Sequence, residues 1–577
     1  MKVRKEFGKS KERIFYEFGP FRVDARERAL QRDGRVVPLT PKVFDILLLL
    51  IQNSGRILTK NEMMTLVWRD TMVEESNLTR NVSTLRKALG EDTDHPLYIE
   101  TIPWRGYRFV ASVRESRDEF DVIDSLAVLP FVNESSDPSI EYLSEGTTET
   151  LIHKLSLLDK LRVVSRNSSF RYKGRAQAAG RELGVRAVLT GRLRCLDANV
   201  LVSVELVDTE DDRHIWGGQY NRELSDIFST QETISQQIVE RLQLKLSSQD
   251  KERLARPHTE NSEAYQAYLK GCYFWNKLTP DGVAKGLEFF QQAIEKDPRY
   301  ALAYAGLVRA HTYLNQPAEA RRAATKAVEL DPNLGEVHAA LGFFKFLYDW
   351  DFAGAEKELK YGIELNPNYA EAHHWYAIYL ANVGMFEEAV YEARRAQELD
   401  PLSLLMNQTA GNVLLLARDY DGAVAALRKT LELDANFAAA HSVLGCVYSR
   451  KRMYPEALAE FEKVRSLAGT NPMVDASIKA LIACVYAAWG KRTEALGLLE
   501  EIQSPPMTTP YSIAGVYAEL GENDRAFEWL NKAYPSRSFD LVSLKVDPRF
   551  DNIRPDPRFH EMLRRIGLDK ADSSSDV

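Results

Sequence analysis

The C-terminal half of the chain repeats itself with a fixed period. Five of its units end in a similar short motif, which occurs at Asp297-Pro298, Asp331-Pro332, Asn366-Pro367, Asp400-Pro401 and Asp434-Ala435. The intervals between these motifs are 34, 35, 34 and 34 residues. Small residues also recur where two antiparallel helices have to approach each other, as Ala377, Ala389 and Ala396 do in one unit. A unit of this length is a helical hairpin that buries its apolar face against its neighbours. The period therefore predicts an all-α solenoid.

These repeats resemble tetratricopeptide (TPR) repeats over residues 262–535, with about eight units. The resemblance implies a concave surface that binds a protein or peptide partner. Residues 536–570 contain V-D-P-R-F and then P-D-P-R-F. They are predicted to form a C-terminal cap over the last apolar face, followed by a polar tail over residues 571–577.

Near the other end of the chain, residues 76–89 predict an amphipathic helix with a cationic face. Leu78, Val82, Leu85 and Leu89 recur at the helical period and can face a core. The same winding turns outward Asn77, Arg80, Asn81, Thr84 and Lys87. Arginine can bond guanine, asparagine can bond adenine, and cationic heads neutralise phosphates. Ser76 is predicted to cap the helix. The pattern suits a helix that reads a DNA groove.

A cationic hairpin is predicted directly after this helix, over Y-I-E-T-I-P-W-R-G-Y-R-F-V at residues 98–110. It presents Trp104, Arg105, Tyr107 and Arg108 around Gly106, which is predicted to be the turn residue. Two more helices precede the cationic one, the first opening at Pro41 and the second following G-R-I-L-T-K-N-E. Three helices and a terminal hairpin make a winged helix-turn-helix (α+β) domain.

Residues 14–112 resemble the effector domain of OmpR/PhoB-type transcription regulators. The shared words are L-T-P-K-V-F-D-I-L, V-E-E-S-N-L-T-R-N-V-S-T-L-R-K-A-L-G-E-D and I-E-T-I-P-W-R-G-Y-R-F. The resemblance implies that the third helix enters the major groove and that the wing contacts the neighbouring minor groove. Lys87 and Arg108 are added to the residues that the resemblance implies, as cations that position the DNA backbone. The DNA-binding candidates are then Ser76, Asn77, Arg80, Asn81, Ser83, Thr84, Arg86, Lys87, Thr101, Arg105, Tyr107 and Arg108. Family members often have a basic residue at Ser83, Thr84 and Pro103, so their base preference is not carried over.

Residues 113–123 are charged and are predicted to be a linker, and residues 124–250 predict a small α/β domain. Strands and helices alternate there, and A-V-L-T-G-R-L-R with V-L-V-S-V-E-L-V-D predicts a hairpin. The segment resembles the N-terminal domain of TolB and FlgO. The words S-E-G at 144–146 and R-N-S-S at 166–169 allow two interpretations, an anion-binding pocket or a helix cap and a solvated loop.

Charge and motif content bound the function further. Residues 1–115 carry 21 Lys and Arg against 16 Asp and Glu, a net +5, whereas the whole chain carries −8, so the remainder carries −13. This asymmetry favours nucleic acid at the N-terminal module. The four cysteines are far apart, which indicates no zinc site or disulfide framework. No catalytic, cofactor or metal motif occurs in an appropriate context. No apolar stretch follows the basic first five residues, so they do not predict a signal peptide. The longest apolar stretch near them, Ile46 to Ile51, is far shorter than the roughly 20 residues that cross a bilayer. We therefore expect a cytoplasmic protein that does not engage a membrane.

The main hypothesis is a bacterial transcriptional regulator, not an enzyme, that binds double-stranded promoter DNA and can bind it as a homodimer. Its TPR solenoid would bind a protein or peptide, and its middle domain would sense a signal or dimerise. The alternative is a TPR interaction scaffold without specific DNA binding. A signalling enzyme with nucleotide chemistry in residues 124–250 is a third reading.

Overall fold

The computed structural model describes most of the chain, and the elements below lie in the described residues. These are residues 13–570 without 25–27, 33–34, 38, 69–74, 92–95, 119–122, 136, 197–198, 211, 224–226, 243, 245, 256–258, 278, 315, 470–471 and 504–508. The predicted polar tail and the basic N-terminal residues therefore lie outside them. The chain divides into two compact units, Met1–Val122 and Ile123–Val577.

The first unit opens with an antiparallel sheet that the sequence patterns did not predict. Its strands are β1 (Arg13–Phe18), β2 (Phe21–Asp24), β3 (Ala29–Arg32), β4 (Arg35–Val37) and β8 (Arg114–Asp118), in the order β4-β3-β2-β1-β8. Strand β8 pairs with β1 through Arg13 opposite Asp118. The predicted linker is thus wrong at its start, because a charged run can form the edge strand of a sheet through its backbone alone.

The helices and the wing of the first unit form the predicted winged helix-turn-helix. The helices are α1 (Pro41–Gln52), α2 (Lys60–Val67) and α3 (Glu75–Leu89), and the small sheet β5-β7-β6 joins Ile57–Thr59, Gly106–Phe109 and Ile99–Ile102. Thr59 and Glu62 form a reciprocal capping box at the start of α2. One apolar core unites α1, α3 and the wing, with Ile46, Leu78, Leu85 and Phe109 all fully buried.

The middle of the chain forms the predicted α/β domain, with additional elements at its end. Its strands are β9 (Ser125–Val128), β10 (Val132–Asn133), β11 (Arg162–Val163), β12 (Ala187–Leu196), β13 (Asn199–Asp208) and β14 (His214–Glu223), and its helices are α4 (Glu141–Ser156), α5 (Arg166–Ser169), α6 (Ala176–Leu183), α7 (Ile227–Arg241) and α8 (Ser248–Ala255). The sheet order is β11-β9-β12-β13-β14, with β10 beside β12. The predicted hairpin is the antiparallel pair β12 and β13.

The solenoid consists of paired antiparallel helices, as the period predicts. They are α9 (Ser262–Trp275), α10 (Pro280–Lys296), α11 (Ala301–Tyr313), α12 (Pro317–Leu330), α13 (Gly335–Phe344), α14 (Phe352–Leu365), α15 (Ala370–Val383), α16 (Phe386–Leu399), α17 (Leu404–Leu416), α18 (Tyr420–Leu433), α19 (Ala438–Arg450), α20 (Tyr454–Ala468), α21 (Pro472–Ala488), α22 (Arg492–Ile502), α23 (Pro510–Glu519) and α24 (Asn523–Ala533). The small residues Ala377, Ala389 and Ala396 are buried at the helix crossings. A Cβ on Gly411 of α17 would lie 2.6 Å from the Leu427 side chain of α18, so the small residue permits the close approach.

The C-terminal segment does more than cover the last repeat. Its described residues form three short 3₁₀ turns, Phe539–Ser543, Pro548–Ile553 and Leu568–Lys570, and the helix α25 (Pro557–Ile566). Arg558 bonds Asp524 of α24 at 2.8 Å, as a cap would, but Asp551 accepts from Arg418 after α17 at 2.8 Å. The segment therefore also lies against the first helices of earlier repeats.

The middle domain packs directly on the solenoid. This contact accounts for the two polar motifs at 144–146 and 166–169. Ser144 and Gly146 lie inside α4 rather than at a helix start, and a Cβ on Gly146 would lie 2.8 Å from Leu269 of α9. Ser168 donates to Asp400 Oδ1 at 2.5 Å, and Asn167 donates to Asp400 Oδ2 at 3.2 Å. Both words serve packing between the domain and the repeats, so neither the anion pocket nor the solvated loop describes them.

Asn368, in the loop between α14 and α15, holds this contact together. Its Nδ2 lies 2.9–3.0 Å from the carbonyl oxygens of Ser156, Leu158 and Leu161, and its Oδ1 accepts from Val163 N at 3.2 Å. We expect Asn368→Ala to lower the free energy of unfolding of the second unit by about 2 kcal/mol, because buried carbonyls lose their donor. Urea denaturation measures this loss. The matched change Asn436→Ala, at an exposed turn, should change it by less than about 0.5 kcal/mol, and equal effects would contradict the assignment.

Candidate nucleic-acid interface

The outer face of α3 carries the predicted polar residues. Leu78, Val82, Leu85 and Leu89 are buried in the core of the first unit. The exposed predicted residues of the helix are Ser76, Asn77, Arg80, Ser83, Thr84 and Lys87, and Asn81 is half-buried. The helix therefore turns two cations and a row of amide and hydroxyl groups away from the core.

Local hydrogen bonds orient the polar side chains of this face. Asn81 donates from Nδ2 to Asn77 O at 2.8 Å, and Thr84 donates from Oγ1 to Arg80 O at 3.0 Å. Each bond ties a side chain to the preceding turn of its own helix. The Asn81 amide keeps a second N–H, and the Thr84 hydroxyl keeps acceptor capacity. Both groups can still bond a base edge while they are held in place.

The start of α3 differs from the predicted cap. The helix begins at Glu75, so Ser76 lies within its first turn. Glu75 is paired with Lys60 at the start of α2, and this hydrogen bond raises the pKa of the Lys60 ammonium. The carboxylate also lies at the positive end of the α3 dipole, where it is favourable. The ion pair links the two helices of the helix-turn-helix at the entrance of α3.

Arg86 does not face the outer surface, contrary to its prediction as a DNA contact. The residue is 8% exposed, and its Nη2 donates to Ile99 O at 2.7 Å and to Thr101 Oγ1 at 2.9 Å. Its Nε lies 3.6 Å from Oε1 of Glu91, whose side chain is fully buried. Glu91 in turn accepts from the backbone N–H groups of Tyr98, at 2.6 Å, and Ile99. We call Arg86 and Glu91 the wing lock, because together they fasten α3 to β6.

The tip of the wing is a tight turn with Trp104 in the left-handed region, at φ 64°. The Trp104 side chain is 100% exposed, and the neighbouring Arg105 is exposed as well. Gly106 is not the turn residue, because it is the first residue of β7. A Cβ at Gly106 would lie 2.0 Å from Leu58 O of β5. The glycine is therefore required by the close approach of two strands.

A bulky residue with positive φ is strained, which gives a direct stability prediction for the wing tip. We expect Trp104→Gly to leave the free energy of unfolding of the first unit unchanged or to raise it by up to about 1 kcal/mol, because glycine adopts this conformation without steric cost. Thermal denaturation of the full chain measures it. A loss of more than about 1 kcal/mol would contradict the strained turn.

The remaining wing candidates are less available for contact with DNA than the sequence suggests. Tyr107 is 4% exposed and belongs to the apolar core, so it is corrected from a DNA contact to a packing residue. Arg108 donates to Glu100 Oε2 from Nη2 at 2.5 Å and from Nε at 2.9 Å. Its charge is therefore partly neutralised across the strand pair. Thr101 is exposed, but its hydroxyl accepts from Arg86.

The structure thus brings together a smaller set than the sequence predicted. Arg80 and Lys87 of α3 and Arg105 of the wing are exposed cations of the first unit, and the wing lock fixes their two elements to each other. The exposed Trp104 lies beside Arg105 and is not among the residues that the family resemblance implies as DNA contacts. Its complete exposure at a positive φ is visible only in the folded chain.

Two absences concern only the part of the chain that the structure describes. No helix there is both long enough and apolar enough to span a membrane. No group of three or more His, Cys, Asp and Glu side chains there is arranged to hold a metal ion.

Two parts of the chain match known protein families, and several proteins are similar to parts of it. Residues 34–109 match the family described as "Transcriptional regulatory protein, C terminal", and residues 409–472 match a tetratricopeptide repeat family. Putative adenylate cyclase 3 of Rhizobium meliloti is 34% identical over 186 residues, which is 32% of this chain and 32% of that protein. Transcriptional regulator HilA of Salmonella typhi is 24% identical over 391 residues, 65% of this chain and 68% of that protein. The DNA-binding domain of E. coli CadC is 32% identical, covering 18% of this chain and 99% of that structure with a TM-score of 0.17.

The first unit is a winged-helix domain of the OmpR/PhoB type, and the second contains tetratricopeptide repeats. The chain spans only about a third of the length of the cyclase relative but 68% of that of HilA. It resembles transcriptional regulators that include HilA and CadC.

Proposed function

We propose that the protein is a transcriptional regulator that binds specific double-stranded DNA through its first unit. The observation that carries this proposal is the exposed polar and cationic face of α3, held in fixed register with a cationic wing by the wing lock. A helix offering arginine and asparagine side chains on one face matches the donor and acceptor pattern of the major groove. The match to the OmpR/PhoB-type family over residues 34–109 supports this reading.

The residues of this surface have two roles in the proposal. Arg80, Asn81 and Thr84 contact base edges, because they lie on the outer face of the recognition helix. Lys87 and Arg105 bond phosphates and set the position of the domain on the duplex. Arg108 adds little, since Glu100 already neutralises it.

In this proposal the second unit binds a partner that couples a signal to transcription. Tetratricopeptide repeats commonly bind a protein or peptide on their concave face, and we propose the same for this solenoid. The C-terminal segment and the middle domain already contact parts of the solenoid. A partner therefore binds the part of the solenoid surface that these two segments leave uncovered. A homodimer on DNA would place two first units on neighbouring half-sites.

Selection of bound fragments from a genomic library with the purified full chain tests the proposal. We expect enrichment of a discrete motif of one or two half-sites. A scaffold without specific DNA binding would enrich no motif at moderate salt, and that result would refute the proposed function.

A further inference from the structure

The residue at the tip of the wing does not suit the turn that it occupies. The Arg105 N–H donates to Ile102 O at 3.0 Å, which closes a four-residue turn with Pro103 and Trp104 at its centre. Trp104 has φ 64°, and proline followed by a residue with positive φ is typical of a type II turn. Glycine or asparagine is favoured at that second position, because a bulky side chain is strained there. The wing tip therefore has a large aromatic residue where a small one would fold more easily.

The solvation of this side chain is unfavourable as well. Trp104 is 100% exposed, whereas Tyr391, the next most exposed large hydrophobic residue in the described part of the chain, is 67% exposed. An aromatic side chain buries about 150–250 Å² when it is covered, so covering the indole is favourable. A single exposed apolar residue is ordinary, but backbone strain at the same residue is not. The two costs together indicate that the indole contacts a partner.

The neighbours of Trp104 indicate which partner covers it. Arg105 is exposed beside it, and an apolar protein surface that covered the indole would also have to desolvate this cation. The tip is held in place from two sides, because the Lys60 N–H donates to Arg105 O at 3.3 Å and Arg86 donates to Thr101 Oγ1 at 2.9 Å. Proteins that bind the minor groove of DNA combine basic side chains with apolar ones inserted between base steps. Duplex DNA therefore fits the pair better than an apolar protein surface does.

We propose that the Trp104 indole enters the minor groove next to the phosphates that Arg105 bonds, and wedges against one base step of the operator. This inference rests on the proposed function and adds an apolar contact to the polar ones. Apolar wedges partly unstack a step and bend the duplex by roughly 20–90°. Pyrimidine–purine steps such as TA and CA/TG are the most easily unstacked. The wing therefore selects operators that have such a deformable step opposite its tip.

The variant Trp104→Gly separates this role from a structural one. Because glycine suits the turn, the full chain should keep or raise its melting temperature, while its affinity for the selected operator should fall about tenfold or more. The salt dependence of binding should not change, since an apolar contact releases no counterion, whereas Arg105→Ala should reduce the salt slope by about 1. Trp104→Asn, a second residue that tolerates positive φ, should lose the same affinity. Wild-type affinity in both Trp104 variants would overturn the proposal.

Bending of the operator provides a second readout, measured by resonance energy transfer between dyes at the two ends of the duplex. At saturating protein, we expect the wild-type chain to bend the duplex and Trp104→Gly to bend it less. Leu97, which is 64% exposed and lies at the opposite end of the hairpin from the tip, supplies the control. Leu97→Ala should change neither affinity nor bending. Equal transfer in the wild-type and Trp104→Gly complexes would overturn the proposal.

Selection of genomic fragments with wild type and with Trp104→Gly tests the sequence preference itself. We expect the wild-type motif to contain a TA or CA/TG step at one fixed position, and the Trp104→Gly motif to lose that step while it keeps the bases read by α3. If the variant enriches the same step as strongly as wild type, only the wedge is refuted. If the wild-type chain enriches no motif, the proposed function fails and this inference fails with it.

Discussion

Replacing Arg80 and Arg105 together with alanine is expected to abolish binding to the selected operator at moderate salt. Arg80 lies on the exposed face of α3 and Arg105 at the exposed tip of the wing, so the double variant removes one proposed base contact and one proposed phosphate contact. A base contact of this kind contributes about 1–3 kcal/mol, and the loss of one phosphate contact lowers the salt slope by about 1. We therefore expect affinity to fall by roughly 100-fold or more, measured by fluorescence anisotropy across a salt series.

The control is a double variant that removes the same charge from the second unit. Arg322 of α12 and Arg564 of α25 are exposed arginines of that unit, and replacing both with alanine should change operator affinity less than about threefold. Circular dichroism should show that both double variants stay folded, because none of the four side chains is buried. Unchanged affinity after loss of Arg80 and Arg105 would show that the proposed surface is not the DNA-binding surface.

Replacing Arg86 with methionine is expected to lower the free energy of unfolding of the first unit by a large amount, without removing a direct contact with DNA. The change leaves the Glu91 carboxylate buried without its cation and removes the donor to Ile99 O and Thr101 Oγ1. Breaking a buried ion pair by removing one partner costs about 3 kcal/mol or more. Chemical denaturation of the full chain, monitored on the transition of the first unit, measures this loss.

The next residue of the same helix supplies a matched control. Lys87 is exposed, so Lys87→Met also removes one positive charge from α3 but should cost less than about 0.5 kcal/mol of stability. Lys87→Met should weaken DNA binding through a lost phosphate contact, while the folded fraction of Arg86→Met should bind less tightly only because the wing is loosened. Equal stability of the two variants would contradict the wing lock.

The sequence predicted those parts of the fold whose signal lies in local periodicity. Leu78, Val82, Leu85 and Leu89 mark the buried face of α3 by their spacing alone, and the repeated Asp-Pro words mark the ends of the solenoid units. Strand β8 could not be predicted in this way, because its pairing with β1 depends on residues about 100 positions apart in the chain. The packing of the middle domain on Asn368 could not be predicted for the same reason, because the residues that bond Asn368 there lie 205 to 212 positions away in the chain.

In the candidate interface, too, local periodicity predicts some features, whereas others depend on residues outside the helix. Exposure of Arg80 and Lys87 follows from helical winding, but the direction of Arg86 depends on Glu91 and on the position of β6, which the helix period does not encode. Glycine is a residue type typical of turns, but Gly106 lies in a strand and allows β7 to come close to Leu58 O of β5. Burial of Tyr107 likewise follows from the third strand, β5, that covers the hairpin.

The most direct test of the account compares the affinity of the full chain for the enriched duplex with its affinity for a scrambled duplex of the same length and composition, at one stated salt concentration. The account predicts a preference of roughly 1,000-fold or more for the enriched sequence. Superimposable titration curves for the two duplexes would contradict it.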